Sequence, residues 1–276
     1  MGTPMARNLL NAGHSVTVYA RRPEAIARLL DAGACAAASP AAVASQSDIT
    51  LTMVTDTAAV EEIMLGTRGV IHGARPGTVA IDHSTIAPEA ARRIASDLKA
   101  RGIEMLDAPV SGGVIAAEAA ALSIMVGGDE PVYQRCRPIL SSLGKTITYI
   151  GPSGAGQVAK ACNQICTIVN QQAAAEAMLM AERSGVDPRR VLHAMMAGFA
   201  ASRMLELQAP KMIARQFDGK IESRLHHKDI QIVLQMAGRL GIELPASGAA
   251  ADVLARLQQQ GGATKDSAAV LTILDK

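Results

Sequence analysis

The sequence predicts an α/β domain built on a parallel sheet, followed by an all-helical domain, with one long helix joining them. Three observations carry this. Short β-branched runs alternate with longer Ala-rich segments up to residue 150, strand-like runs vanish after Gly151, and residues 157–184 hold neither Pro nor Gly. Alternation of strand and helix signals is the mark of crossover units in a parallel sheet. The boundary is placed between residues 1–151 and 152–276.

The elements follow in order. Residues 3–12 read as a first helix stopped by Gly13, and strands are expected at 15–19, 49–54, 78–81, 104–107, 122–126 and 146–150. Helices are expected near 23–32, 57–64, 88–101 and 131–142, three of them with Pro in the first turn, where its missing N–H costs nothing. At about 1.5 Å per residue, the uninterrupted stretch 157–184 makes a helix of roughly 42 Å. Gly185 ends it, and Asp187-Pro188 starts the next.

With 276 residues, 49% of them apolar, the chain is long enough for well-formed cores. Aromatic residues are only 2%, so Ala, Leu, Ile, Val and Met must fill the interior. Lys and Arg number 27 against 25 Asp and Glu and are scattered, which argues against a nucleic-acid partner. No apolar run approaches the ~20 residues that span a bilayer and no signal-peptide pattern is present, so a cytoplasmic protein without a membrane partner is expected. Cys35, Cys136, Cys162 and Cys166 form no CxxC pair and are read as buried thiols in a reducing compartment.

The opening is unusual. A dinucleotide-binding fold begins with a buried strand, a glycine-rich turn and a helix whose N-terminus holds a pyrophosphate. Here Met1-Gly2 stands as the tail of such a turn, with the strand and the first two glycines missing. Of two readings, a start upstream of Met1 or a fold that lacks its central strand, the first is favoured, because losing that strand strands a row of backbone groups.

Three segments carry candidate chemistry. In Gly154-Ala-Gly156-Gln-Val-Ala-Lys160-Ala-Cys-Asn163-Gln164 the spacings of three and four put Lys160, Asn163 and Gln164 on one helix face, with Lys160 as a general acid and Asn163 holding a substrate oxygen. The alternative is a solvated surface lysine. In Asp107-Ala-Pro-Val-Ser111-Gly112-Gly113 two glycines after a strand permit amides to converge on a carboxylate beside the Ser111 hydroxyl, or make an ordinary turn. Arg21 and Arg22 stand where an NAD-specific fold places an acid on the ribose, and a forked guanidinium suits the 2′-phosphate of NADP; the alternative is a solvated basic turn. His226-His227 point about 100° apart on a helix and lack an HExxH or CxxC partner, so no metal is expected.

Taken together these residues resemble the β-hydroxyacid dehydrogenases, a family that includes 3-hydroxyisobutyrate dehydrogenase and tartronate semialdehyde reductase. The resemblance spans the whole chain: Met1-Gly2 with Pro4-Met5-Ala6, DAPVSGG at 107–113, GAGQVAKACNQ at 154–164 and Lys228-Asp229 occur in the family's order. It implies a Rossmann-like domain and a helical domain, NADP or NAD as cofactor with NADP favoured, and a small semialdehyde carboxylate as substrate. Lys160 would be the catalytic acid and base, Asn163 and Gln164 amides near the substrate, and Ser111, Gly112 and Gly113 the carboxylate anchor. Gly2, Val54, Thr55 and Thr85 would line the cofactor with Lys228 beside it, in a homodimer or homotetramer. The segments LSIMVGGD, Gln208-Ala-Pro210-Lys-Met212 and LHHKDI look most like tartronate semialdehyde reductase. One departure is Ala119-Ala120-Ala121, where the family has a Gly-Thr pair, since Ala adopts positive φ at a cost. A nucleotide-binding paralogue without turnover is the competing expectation.

Overall fold

The chain divides into two units, Met1–Lys160 and Ala161–Lys276. The structure is a computed structural model that describes residues 1–219 and 221–275.

Unit 1 alternates helix and strand. Helix α1 (Gly2–Asn11) is followed by β1 (Thr17–Val18), α2 (Ala27–Leu30), β2 (Cys35–Ala36), α3 (Pro40–Ser45) and β3 (Ile49–Thr52). Next come α4 (Thr57–Leu65), β4 (Val79–Asp82), α5 (Pro88–Lys99), β5 (Glu104–Asp107), β6 (Val110–Ser111), α6 (Gly113–Glu118), β7 (Leu122–Gly127), α7 (Glu130–Ser141) and β8 (Gly144–Gly151). Short polar side chains start several helices: Ser39, Asp56 and Asp129 accept from Ala42, Ala59 and Val132 N–H at α3, α4 and α7.

Strands β3, β4 and β5 run parallel, with Thr52, Asp82 and Asp107 in register at their C-terminal ends. β7 is antiparallel to β5 and β6 and parallel to β8. β1 pairs with β2 alone among the described strands, which form one two-stranded and one six-stranded sheet. All four residues of β4 are buried, as befits a parallel strand covered on both faces. Ile81 and Leu106 pack with Ile124, Leu140 and Leu143 in one cluster; Ala80 and Met105 pack with Ile86, Ile94 and Leu98 in another. Tyr133 and Tyr149 stack with ring centroids 5.3 Å apart.

Unit 2 is helical. Helix α8 (Ala155–Arg183) begins in unit 1 and supplies most of its 29 residues to unit 2. Gly185 at φ 72° follows it, and Asp187 caps α9 (Pro188–Met196). Then come α10 (Arg203–Ile213), α11 (Ser223–Leu240), α12 (Pro245–Gln259) and α13 (Leu271–Leu274). Their shared core joins Ile168, Met178, Leu205, Met212, Ile230 and Leu254 to a set of alanines, the small-residue packing that so few aromatics demand. No helix among the described residues is long and apolar enough to cross a membrane.

Several expectations need correction. Only Cys136 is buried; Cys35, Cys162 and Cys166 are exposed, the last two one turn apart on a solvent-facing stripe of α8. The helix expected near 23–32 is a 3-10 turn (Pro23–Ala25) followed by the single turn of α2. β2, α3 and β6 are too short to announce themselves by periodicity.

The alanine run after α6 closes that helix with a left-handed residue. Ala121 N–H reaches back to Ala116 C=O at 2.8 Å, and Ala120 lies at φ 49°. This is the Schellman arrangement, which glycine occupies most readily. A left-handed residue with a Cβ costs about 1–2 kcal/mol, partly offset by glycine's larger chain entropy. Ala120→Gly is expected to stabilise unit 1 by about 0.5–1 kcal/mol, read as a higher urea midpoint at unchanged slope.

Candidate active site

The C-terminal ends of parallel strands are where open α/β sheets take ligands. In unit 1 a cavity of about 580 Å³ opens there, lined by Gly2, Arg21, Arg22, Val54 and Thr55, five of the residues expected to touch the cofactor. Residues of β1 and of β3 both line it. Met1 caps α1 without a side-chain bond, so the first-turn amides of Gly2 and Thr3 remain for an anion at a positive helix end. Val54 N–H donates to Ser84 Oγ at 2.9 Å, which fixes the turn after β3 against the turn after β4. Thr55 Oγ1 donates to Asp56 Oδ2 at 2.9 Å. Thr85 follows Ser84 and lies outside the cavity lining. Amides, hydroxyls and guanidinium groups around an apolar hollow fit a dinucleotide.

The second cluster sits at the end of β5. Gly112 and Gly113 have φ of 122° and 64°, conformations that glycine adopts readily, next to the half-buried Ser111. Lys160, in the second turn of α8, is only 7% exposed, which separates it from a solvated surface lysine. Asp107, the last residue of β5, holds the start of the helix that carries Lys160. Its Oδ1 accepts from Gly154 N–H at 2.7 Å and its Oδ2 from Gln157 N–H at 3.0 Å, so one carboxylate satisfies two open donors where α8 begins. Burial raises the Asp107 pKa to about 6, against the lowering effect of these N–H groups.

Gln157, 1% exposed, is the second tie. Its Nε2 donates to Ser84 C=O at 2.8 Å and its Oε1 accepts from Ile86 N–H at 3.1 Å.

In unit 2 the remaining candidates form one polar chain. Asn163 Nδ2 donates to Gln164 Oε1 at 2.9 Å, and Gln164 Nε2 donates to Asp229 Oδ2 at 2.6 Å. Lys228 Nζ stands 2.8 Å from Asp229 Oδ1. Asn163 Nδ2 also reaches Thr167 Oγ1 at 3.2 Å. His226 Nδ1 lies 3.0 Å from Gln171 Oε1, a buried pairing that gives this histidine a structural partner.

Comparison with known proteins identifies the family. Residues 1–151 match the NAD binding domain of 6-phosphogluconate dehydrogenase, and residues 154–274 match the NAD-binding domain of NADP-dependent 3-hydroxyisobutyrate dehydrogenase. The chain is 41% identical over 275 residues to 2-hydroxy-3-oxopropionate reductase of Escherichia coli, an alignment covering 100% of this chain and 94% of that reductase. The chain belongs to the β-hydroxyacid dehydrogenase family. It is likewise 36% identical over 272 residues to 3-hydroxyisobutyrate dehydrogenase of Pseudomonas aeruginosa, covering 95% of this chain and 90% of that enzyme. The crystal structure of 3-hydroxyisobutyrate dehydrogenase from Salmonella typhimurium superposes with a TM-score of 0.91 at 31% identity, covering 99% of this chain and 95% of that one. This β-hydroxyacid dehydrogenase is therefore an NAD(P)-dependent oxidoreductase with a Rossmann-like domain followed by a helical one.

Sequence reasoning missed Asp107 as a helix-holding group, Gln157, and His83. His83 is 1% exposed, lines the cavity, and has Nδ1 2.8 Å from Ala108 C=O. A carbonyl only accepts, so Nδ1 carries the proton and Nε2 is an acceptor, with no hydrogen-bond partner among the described residues. Burial lowers the His83 pKa to about 4, against the raising effect of Ala108. Its neighbour Asp82, held by Thr52 Oγ1 at 2.7 Å and Ser84 N–H at 3.1 Å, is pushed up to about 6 by burial, against those bonds. Nothing in an isolated Asp-His-Ser-Thr string announces such burial.

These shifts oppose one another in pH. Asp82 and Asp107 titrate higher folded than their ordinary 3.8, so their contribution is present at low pH and fades as pH rises through about 6. His83 titrates lower folded than its ordinary 6.5, so its contribution is present above that value and fades as pH falls through about 4. His83→Gln removes the opposing group. Stability of the variant is expected to fall more steeply than the parent's as pH rises from 4 to 6.5, measured as urea midpoints across that window.

Proposed function

We propose that this enzyme interconverts 2-hydroxy-3-oxopropionate (tartronate semialdehyde) and the corresponding 3-hydroxy acid, using NADPH in preference to NADH. The observation that carries the reading is a buried lysine, Lys160, in the same unit as the glycine turn at Ser111, Gly112 and Gly113. Identity of 41% to a reductase of that name supports the substrate choice.

When bound, the cofactor supplies or accepts a hydride at the substrate's aldehyde carbon. The protein's own residues do the rest. The Ser111 hydroxyl and the Gly112 and Gly113 amides hold the substrate's carboxylate, which fixes the distance from acid end to aldehyde and selects short substrates. Lys160 Nζ gives a proton to the aldehyde oxygen as it takes on negative charge; in the oxidative direction it takes the hydroxyl proton back. Asn163, one turn further along α8, orients the substrate oxygen or the lysine, and its bond to Gln164 fixes its amide. Arg21 and Arg22 pair the adenosine 2′-phosphate, which is the basis for NADP. Exposed Met180, Phe199 and Leu207 in unit 2 support assembly as a homodimer or homotetramer.

Removal of a general acid costs typically about 10²- to 10⁴-fold, so Lys160→Ala is expected to lower kcat by that amount while the NADPH Kd stays within about twofold. Parent-level turnover in this variant would remove Lys160 from the mechanism. The substrate assignment is tested on a panel of tartronate, methylmalonate and succinic semialdehydes and glyoxylate: tartronate semialdehyde is expected to give the highest kcat/KM, and a higher value for any other overturns it. Arg21→Ala is expected to weaken NADPH binding by about tenfold and leave NADH binding unchanged, seen by titrating cofactor fluorescence.

A further inference from the structure

We propose that Asp107 is a positioning residue for Lys160: its carboxylate seats the first turn of α8 on the end of β5 and thereby sets where the ammonium is held. The inference rests on the assignment of Lys160 as proton donor.

The contact is specific in geometry. Both carboxylate oxygens are used, one on Gly154 N–H at 2.7 Å and one on Gln157 N–H at 3.0 Å, and Lys160 follows Gln157 by three residues on the same face. Two glycines keep the approach open. A Cβ at Gly156 would stand 2.4 Å from Met125 C=O and 2.5 Å from Asp107 C=O. A Cβ at Gly127, paired with Asp107 across the β5–β7 ladder, would stand 2.6 Å from Gly156 N and 2.7 Å from Asp107 Oδ1. Strand end, carboxylate and helix start are thus packed at a separation that no side chain but glycine allows. Gln157 adds a second tie, to the turn after β4. With the start of α8 fixed from two sides, the backbone of Lys160 is fixed with it.

Asparagine keeps the shape of Asp107 and replaces one acceptor by an NH₂, which faces the N–H of Gly154 or Gln157 and pushes that end of the turn away. In Asp107→Asn we expect kcat to fall by about 10- to 100-fold, since a displacement near 1 Å costs about that much, with KM and NADPH Kd within about twofold. The solvent deuterium isotope effect on kcat should rise, because proton delivery becomes more rate-limiting. Gly156→Ala is expected to show the same pattern by another route. Parent-level kcat in Asp107→Asn overturns the inference, and so does a lower kcat with an unchanged solvent isotope effect. Loss of NADPH binding in both variants would assign the contact to folding of unit 1 and overturn it too. Lys160→Ala run alongside separates the two ideas: if that variant turns over like the parent, the proton-donor reading fails, whereas an inactive Lys160→Ala beside a fully active Asp107→Asn sinks the positioning role alone.

Discussion

The site depends on one carboxylate meeting two backbone N–H groups where helix α8 starts. A helix N-terminus has four unsatisfied donors and a partial positive charge, and Asp107 answers both within unit 1. Burial makes the arrangement costly, which is why the Asp107 pKa rises even though several backbone N–H groups lower it. A buried, directional contact of this kind has few alternative geometries. It ties the end of β5 to the first turn of α8, whereas a hydrophobic contact at the same place would tolerate sliding.

Much of this was legible in the sequence because the informative features are periodic or punctuated by glycine. The long helix was marked by a Pro- and Gly-free run, and β5 at 104–107 by a short run between Gly102 and Pro109. Lys160, Asn163 and Gln164 could be placed on one face because helical spacing is a property of residue number. The positive φ values of Gly112 and Gly113 follow from their type and position after a strand. The illegible parts were of another kind. Asp107 and Gln157 act on partners 47 to 73 residues away in sequence, a relation that no local pattern encodes. The tautomer of His83 is set by a carbonyl on a neighbouring strand end. The exposed cysteines were misjudged because cysteine is usually buried, yet helix phase places Cys162 and Cys166 outward.

Composition and architecture also explain one another. Small side chains let helices approach closely, and unit 2 uses Ala174, Ala175, Ala209, Ala250, Ala251, Ala268 and Ala269 at buried positions around Met178 and Met212. In unit 1 the same economy appears at Gly127 and Gly156, where backbones touch. Such interfaces have little slack, so substitutions that add even one methyl group at these glycines act on the site through the frame.

The stacked pair Tyr133 and Tyr149, with Tyr19, accounts for every tyrosine in the chain, and there is no tryptophan. All three lie in unit 1, while Phe199 and Phe217 are the aromatic complement of unit 2. Ultraviolet emission from this enzyme is thus a reporter of the nucleotide-binding half alone, and the helical half is optically almost silent. Reduced nicotinamide will fluoresce against a dark background, free of energy transfer from indole.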